Sequence, residues 1–143
     1  MRSLMRLRTL MRDEQGAAVV EFALVMPILA LIIFGIIDFG RAFYTVNNII
    51  SAVREGSRYG AILSAPTSTS GQLEIRERVR GVSKPFGGDT LRDEHIEIEF
   101  DGELVTVRVD SFPFRPLTPI AGVLGVGTWP ITRQATFRWE RGT

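Results

Sequence analysis

Ala17–Ile37 reads AAVVEFALVMPILALIIFGII, and its one ionisable side chain is Glu21. A helix of about 20 such residues is roughly 30 Å long, which matches the hydrocarbon core of a bilayer. A cleaved secretory signal has a shorter apolar run followed by a small-x-small site. This run ends instead at Asp38-Phe39-Gly40-Arg41. A buried core helix of this length would be out of proportion to so small a domain. A retained transmembrane helix over 17–37 is therefore expected. Arg2, Arg6, Arg8 and Arg12 precede it, and the positive-inside rule keeps such a flank in the cytoplasm. Everything after Asp38 is then expected on the far side of the membrane.

Composition narrows the function classes. The chain has 143 residues, enough for one small domain and an anchor. A net charge of +1 leaves no face-wide basic excess for nucleic acid. There are no cysteines and a single histidine, His95, so thiol chemistry, the common catalytic triads and His-rich zinc sites have no material. No enzyme, cofactor, metal centre or small-molecule substrate is expected.

Two residues inside the apolar run call for an explanation. Glu21 lies about one turn into it, where a carboxylate at mid-membrane costs on the order of 2.5–3.5 kcal/mol on insertion scales. It either snorkels to the interface or awaits a cation on a partner. Pro27 removes the backbone bond to the Ala23 carbonyl and is expected to kink the helix. Together, Gly16-Ala17-Ala18-Val19-Val20-Glu21-Phe22 resembles the processing site of type IV pilin-like precursors: a basic leader, a glycine, and an apolar helix with glutamate at its fifth position. EQGAAVVEFALVMPILALIIFGIIDFGRAFY, then AVREGSRYGA, and finally ITRQATFRWE resemble the TadE-like family of tight-adherence (Flp) pilus systems. That resemblance implies cleavage by a prepilin peptidase between Gly16 and Ala17, with residues 1–16 as leader. It also implies other pilin-like subunits as partners, besides the lipid bilayer, and a location in a bacterial inner membrane. The domain beyond would be periplasmic or extracellular. Because the major Flp pilins are much shorter, it implies an accessory subunit, a minor pilin or pseudopilin.

Beyond the run, a stalk helix over 38–63 is expected. Phe39, Phe43, Val46, Ile50 and Val53 form an apolar stripe along it. The stripe is expected to pack on the chain's own sheet, with a partner helix as the alternative. Arg54, Glu55 and Arg58 read as a solvated face, and the family resemblance adds Glu55 and Arg58 as protein-interface candidates beside Phe39, Phe43, Val46 and Ile50. Residues 64–71 are a breaker-rich linker. Thr69 with Gln72 fits a capping box for a helix over Gln72–Val82, and Ser83–Asp89 reads as a loop.

Ile96, Ile98 and Phe100 alternate with acidic residues, and Val105, Val107 and Val109 alternate with Thr106, Arg108 and Asp110. Asp101-Gly102 is a favoured hairpin turn and is expected to pair Ile98 with Val105 and Ile96 with Val107. Ser111–Pro130 holds four prolines and reads as an irregular crossover; its Gly122, Gly125 and Gly127 do not fit a nucleotide fingerprint. A last strand near Ile131–Glu140 is expected to bury Ala135, Phe137 and Trp139. The expected fold class is α+β: a long N-terminal transmembrane and stalk helix, then a domain over 72–143 with a short helix and a three-stranded antiparallel sheet. Asp89, Asp93, Glu94 and His95 do not follow a calcium-loop template, and His95 is expected near Arg108. Two alternatives to a pilin-like subunit stand beside it: an unprocessed single-span scaffold of the machinery, and a membrane-tethered ligand-binding module.

Overall fold

The structure, a computed structural model, describes residues 2–84, 90–118, 122, 125 and 127–139, with side chains from Gly16 onward. The leader arginine side chains, the loop from Pro85 to Asp89, most of the glycine-rich stretch and Glu140 lie outside the described residues. The first helix, α1, spans Arg2–Ile62 and stays helical through Pro27. The chain divides into two units, Met1–Ile37 and Asp38–Thr143. In the first, the side chains from Gly16 to Ile37 are exposed apart from the half-exposed Ala30. Among the described residues, α1 is the one helix long and apolar enough to cross a membrane.

The second unit is α+β. It holds the remainder of α1, then α2 (Thr69–Val82), a short 3₁₀ turn at Asp93–His95, β1 (Ile96–Asp101), β2 (Leu104–Phe114) and β3 (Trp129–Arg138). The strands form an antiparallel sheet in the order β1-β2-β3. Ile49, Ala52 and Val53 of α1 meet Ile75 and Val79 of α2 and the inward side chains of the sheet in one buried cluster. The buried face of α1 is thin. A Cβ on Gly56 would sit 2.3 Å from Val79 Cγ2, and one on Gly60 would sit 2.9 Å from Val105 Cγ1. The two glycines therefore let α2 and β2 approach the helix backbone. Their positions place α1 over β2, while Arg76 of α2 donates to the Asp93 carbonyl at 2.8 Å and to the Ile96 carbonyl at the start of β1.

Five local expectations are corrected. The apolar stripe does not pack on the sheet as a whole: Phe39 is 73% and Phe43 63% exposed, while Thr45, Ile49, Ala52 and Val53 are buried. The inner face runs through Thr45, Ile49 and Ala52, which the expected stripe left out, and through Val53, which it included. The N-cap of α2 is Ser68, whose hydroxyl accepts from the Gly71 N–H at 3.0 Å. The helix thus begins at Thr69, three residues before the expected start.

The hairpin register is shifted by two: Ile98 pairs with Val107, Phe100 with Val105, and Asp101 with Leu104. The two-residue loop is therefore Gly102-Glu103. Gly102 takes φ +59°, which suits the first central position of a type II′ turn. A shift of two leaves every side chain on its expected face.

Finally, β2 runs on to Phe114 through a register shift between Val109 and Phe112. Ser111 has φ +50° there, and its N–H donates to Thr132 Oγ1 at 3.2 Å. The extra residue switches the inward parity from odd to even, so that Phe112 and Phe114 join Val105, Val107 and Val109 in the core. An unbroken period-2 reading stops at Asp110 for that reason. In β3, Ala135 is half-buried and Trp139 beyond it likewise, but Phe137, expected to be buried, is 40% exposed.

Two stability predictions follow from the packing of α1. Gly56→Ala should destabilise the full chain in detergent by about 1–3 kcal/mol, as overpacking does, read by denaturant unfolding. Thr45 is 1% exposed and its hydroxyl has no hydrogen-bond partner among the described residues. Thr45→Val should therefore raise stability by about 1 kcal/mol; a loss of that size would show that the hydroxyl is satisfied.

Candidate functional site

The chemistry-bearing residues of the apolar segment lie along one helix. Gly16 and Ala17 are exposed consecutive helical residues, and Glu21 follows Ala17 by four positions. Side chains four apart share a helix face. Glu21 is exposed and has no ion pair among the described residues. Its carboxylate is thus open to a cation from outside the chain.

A second group lies at the start of the outer unit and was not singled out in the sequence. Asp38 accepts the Leu117 N–H at 2.9 Å and the Thr118 N–H at 3.3 Å. It also accepts the Thr118 hydroxyl, and Arg41 Nη1 lies 3.4 Å away. Arg41 is 7% exposed, donates to the Arg115 carbonyl at 3.4 Å and stands 5.5 Å over the Phe114 ring. One carboxylate and one guanidinium, a turn apart, thereby hold the segment after β2 against the helix. Burial raises the carboxyl pKa of Asp38, but the Thr118 hydroxyl, the Leu117 and Thr118 N–H groups and Arg41 together outweigh it, and the net direction is downward. The only sequence signal for this node was the i, i+3 spacing of Asp38 and Arg41, which also fits an ordinary solvated pair.

The expected interface residues separate into three environments. Phe39 and Phe43 are exposed and stack on each other, with centroids 6.5 Å apart. Val46 packs against the core and Ile50 is half-buried. Glu55 joins α1 to α2. It takes Arg78 Nη2 at 2.6 Å and Arg58 Nε at 3.1 Å, and the bonds from Arg58, then Arg78, hold its carboxyl below the ordinary value. Arg58 itself remains largely exposed, at 62%.

His95 closes the 3₁₀ turn that leads into β1. Its ring meets Phe112 edge-on at 5.7 Å, its Nδ1 accepts the Arg92 N–H at 3.4 Å, and Arg108 pairs with Asp110 at 3.1 Å. The 3₁₀ turn carries it onto Phe112, which a strand extrapolated backward from Ile96 could not show. Asp93 faces Arg80 at 3.4 Å and Glu94 faces Arg92 at 3.5 Å. Among the described residues no group of three acidic or histidine side chains is placed to hold a metal ion.

Residues 16–58 match the family model TadE, described as a TadE-like protein. The matched segment opens at Gly16 and takes in Glu21, Pro27, the Asp38–Arg41 node and Glu55, so the resemblance read from the N-terminal half is found. The closing strand lies outside it. No curated protein and no solved structure matches the chain. At the level this match carries, the chain is similar to the pilin-like proteins associated with tight-adherence pili. With its apolar helix, that similarity supports a membrane-anchored protein.

The Asp38 node has a pH signature. Its folded pKa lies below the ordinary 3.8, so its stabilisation is fully present above that value and is lost as pH falls through the lower folded one. Asp38→Ala should cost about 2 kcal/mol near neutral pH, as loss of charge-assisted hydrogen bonds does. The gap from wild type should close below pH 3.8. Unfolding curves of both proteins across pH would check this, and a gap independent of pH would refute the assignment.

Proposed function

We propose that this chain, through its TadE-like segment over residues 16–58, serves as a processed accessory subunit of a tight-adherence pilus, a minor pilin or pseudopilin. The observation that carries the reading is the family match, which begins at the glycine of the Gly16-to-Glu21 pattern. A prepilin peptidase cuts between Gly16 and Ala17, and residues 1–16 leave with the basic flank. The new α-amino group of Ala17 is a cation close to the membrane surface. Glu21 of a neighbouring subunit neutralises it, which offsets the cost of holding that carboxylate in an apolar environment. The same charge pair sets the axial register between neighbouring helices, since only one offset brings amine and carboxylate together.

The partners on this reading are the bilayer, the peptidase and other pilin-like subunits. The N-terminus is cytoplasmic before processing, the anchor lies in the inner membrane, and the unit from Asp38 onward is periplasmic or extracellular. Protein-contact surfaces, and no catalytic group, account for its action.

Two measurements test this. Intact mass and N-terminal sequence of the protein from its native host should show a chain that begins at Ala17; one that retains the residues up to Gly16 would point to the static scaffold instead. Glu21→Ala should leave membrane insertion intact and abolish recovery of the subunit in sheared pili or pilin complexes. Normal recovery would remove the charge pair from the mechanism.

A further inference from the structure

In the sheet order β1-β2-β3, β1 and β3 are the two edge strands. Ile96, at the head of β1, turns both of its backbone groups away from β2. Its N–H donates to the Asp93 carbonyl, and its own carbonyl accepts from Arg76. Alternate residues of an antiparallel strand repeat that direction, so Ile98 and Phe100 also offer N–H and C=O outward. On β3, Thr136 stands opposite Thr106 with the two hydroxyls 2.8 Å apart, the close side-chain approach of a pair that exchanges no backbone bonds. The Trp139 N–H turns the other way, to the Glu103 carbonyl. Gln134, Thr136 and Arg138 therefore offer their backbone groups at the outer edge of β3. Among the described residues, no backbone group from outside the sheet bonds to Ile98, Phe100, Gln134 or Thr136.

The two edges carry opposite charge. The exposed side chains of β1 are Glu97, Glu99 and Asp101, and none of them has an ion pair among the described residues. The charged side chains of β3 are Arg133 and Arg138, both exposed. Arg138 holds Glu103 in a solvent-exposed pair, which stabilises little in water and is easily exchanged. The inward rows match as well. Ile98 and Phe100 of β1 and Ala135 of β3 are half-buried, and Phe137 is 40% exposed.

We infer that the β1 edge of one copy of this chain adds to the β3 edge of a second copy, so that the sheet runs on from subunit to subunit. Backbone hydrogen bonds make the pairing, the apolar rows meet on one side, and the acidic row of one copy lies beside the arginines of the next. Charge selects this occupant. Two β1 edges would set carboxylates against carboxylates, and two β3 edges arginine against arginine; like charges directly opposite destabilise a strand pair. The residues that keep each edge from its own kind thus admit the opposite edge. Such a contact is heterologous. Each copy uses one edge and offers the other, which builds an open row in place of a closed dimer. This surface is separate from the Gly16-to-Glu21 pattern and does not depend on cleavage there.

The chain has no cysteine, so single cysteines can report the contact without background. Two versions of the full chain, Glu99→Cys with an added affinity tag and Thr136→Cys without one, would be mixed in excess detergent. A flexible bis-maleimide would then join them, since its length tolerates a small offset in register. Glu99 and Thr136 share one row across the sheet, each opposite Thr106, so the proposed contact makes them strand neighbours. The tag separates the three products by size. The unlike product is expected to exceed both like products severalfold. A statistical mixture of the three, which association through the apolar helix alone would give, overturns the proposal, and so does the absence of any product.

A charge swap separates the selecting interaction from mere proximity. Glu97→Arg with Asp101→Arg in the Glu99→Cys chain should lower the unlike product severalfold. Arg133→Glu with Arg138→Glu in the Thr136→Cys chain should then restore it. Added salt should lower the yield of the original pair. Circular dichroism would check that each variant is folded; where a reversal is not, Glu97→Gln with Asp101→Asn takes its place and should lower the product to a smaller extent. A yield indifferent to these charges, or a doubly reversed pair no better than the singly reversed one, would overturn the charge-selected contact.

Discussion

The outer unit depends on how closely α1 can approach β2. At Gly56 and Gly60 the helix presents almost no side chain, and Val79, Ile75 and Val105 fill the space directly against its backbone. This contact joins the two helices to the sheet, because the same face that touches β2 also receives α2. Dispersion and burial act here over short distances, so a single methyl in the seam disturbs both partners together. The Glu55–Arg78 pair then closes the seam on its exposed side, where an ion pair contributes specificity more than stability.

A consequence of this arrangement is that α1 changes character along its length while it remains helical. From Ala17 to Ile37 its side chains are apolar but for Glu21 and exposed but for the half-exposed Ala30, which suits a lipid solvent. From Asp38 one face is enclosed by the chain's own sheet and loops, and the opposite face keeps its aromatics. The Asp38–Arg41 pair stands at that change. It satisfies backbone donors of the 117–118 segment that would otherwise need water, and it encloses an arginine under Phe114 with its charge compensated.

The β-bulge at Asp110–Ser111 solves a separate problem. Without it, β2 would turn Phe112 and Phe114 outward once Val109 had turned inward. The added residue reverses that parity, and the Asp110 carboxylate holds the irregular backbone by accepting from the Ser111 and Thr132 hydroxyls. The longest strand can then contribute to the core along its whole length. The third strand contributes less: Ile131 is buried and Ala135 half-buried, while Phe137 stays partly exposed.

Much of this was legible in the chain. The apolar run, the α+β class, the hairpin and its inward residues follow from hydropathy period and turn chemistry, which act between near neighbours and so leave a mark in sequence. The Gly16-to-Glu21 pattern is equally local. Tertiary structure alone decided which face of α1 is inside, because small residues mark a contact only when a partner is present to approach them. It also decided that Asp38 and Leu117, 79 positions apart, share hydrogen bonds, that β2 continues past its bulge, and that Phe39 and Phe43 are left outside. Each of these depends on what packs against a residue from a distant part of the chain, and neither periodicity nor propensity records that.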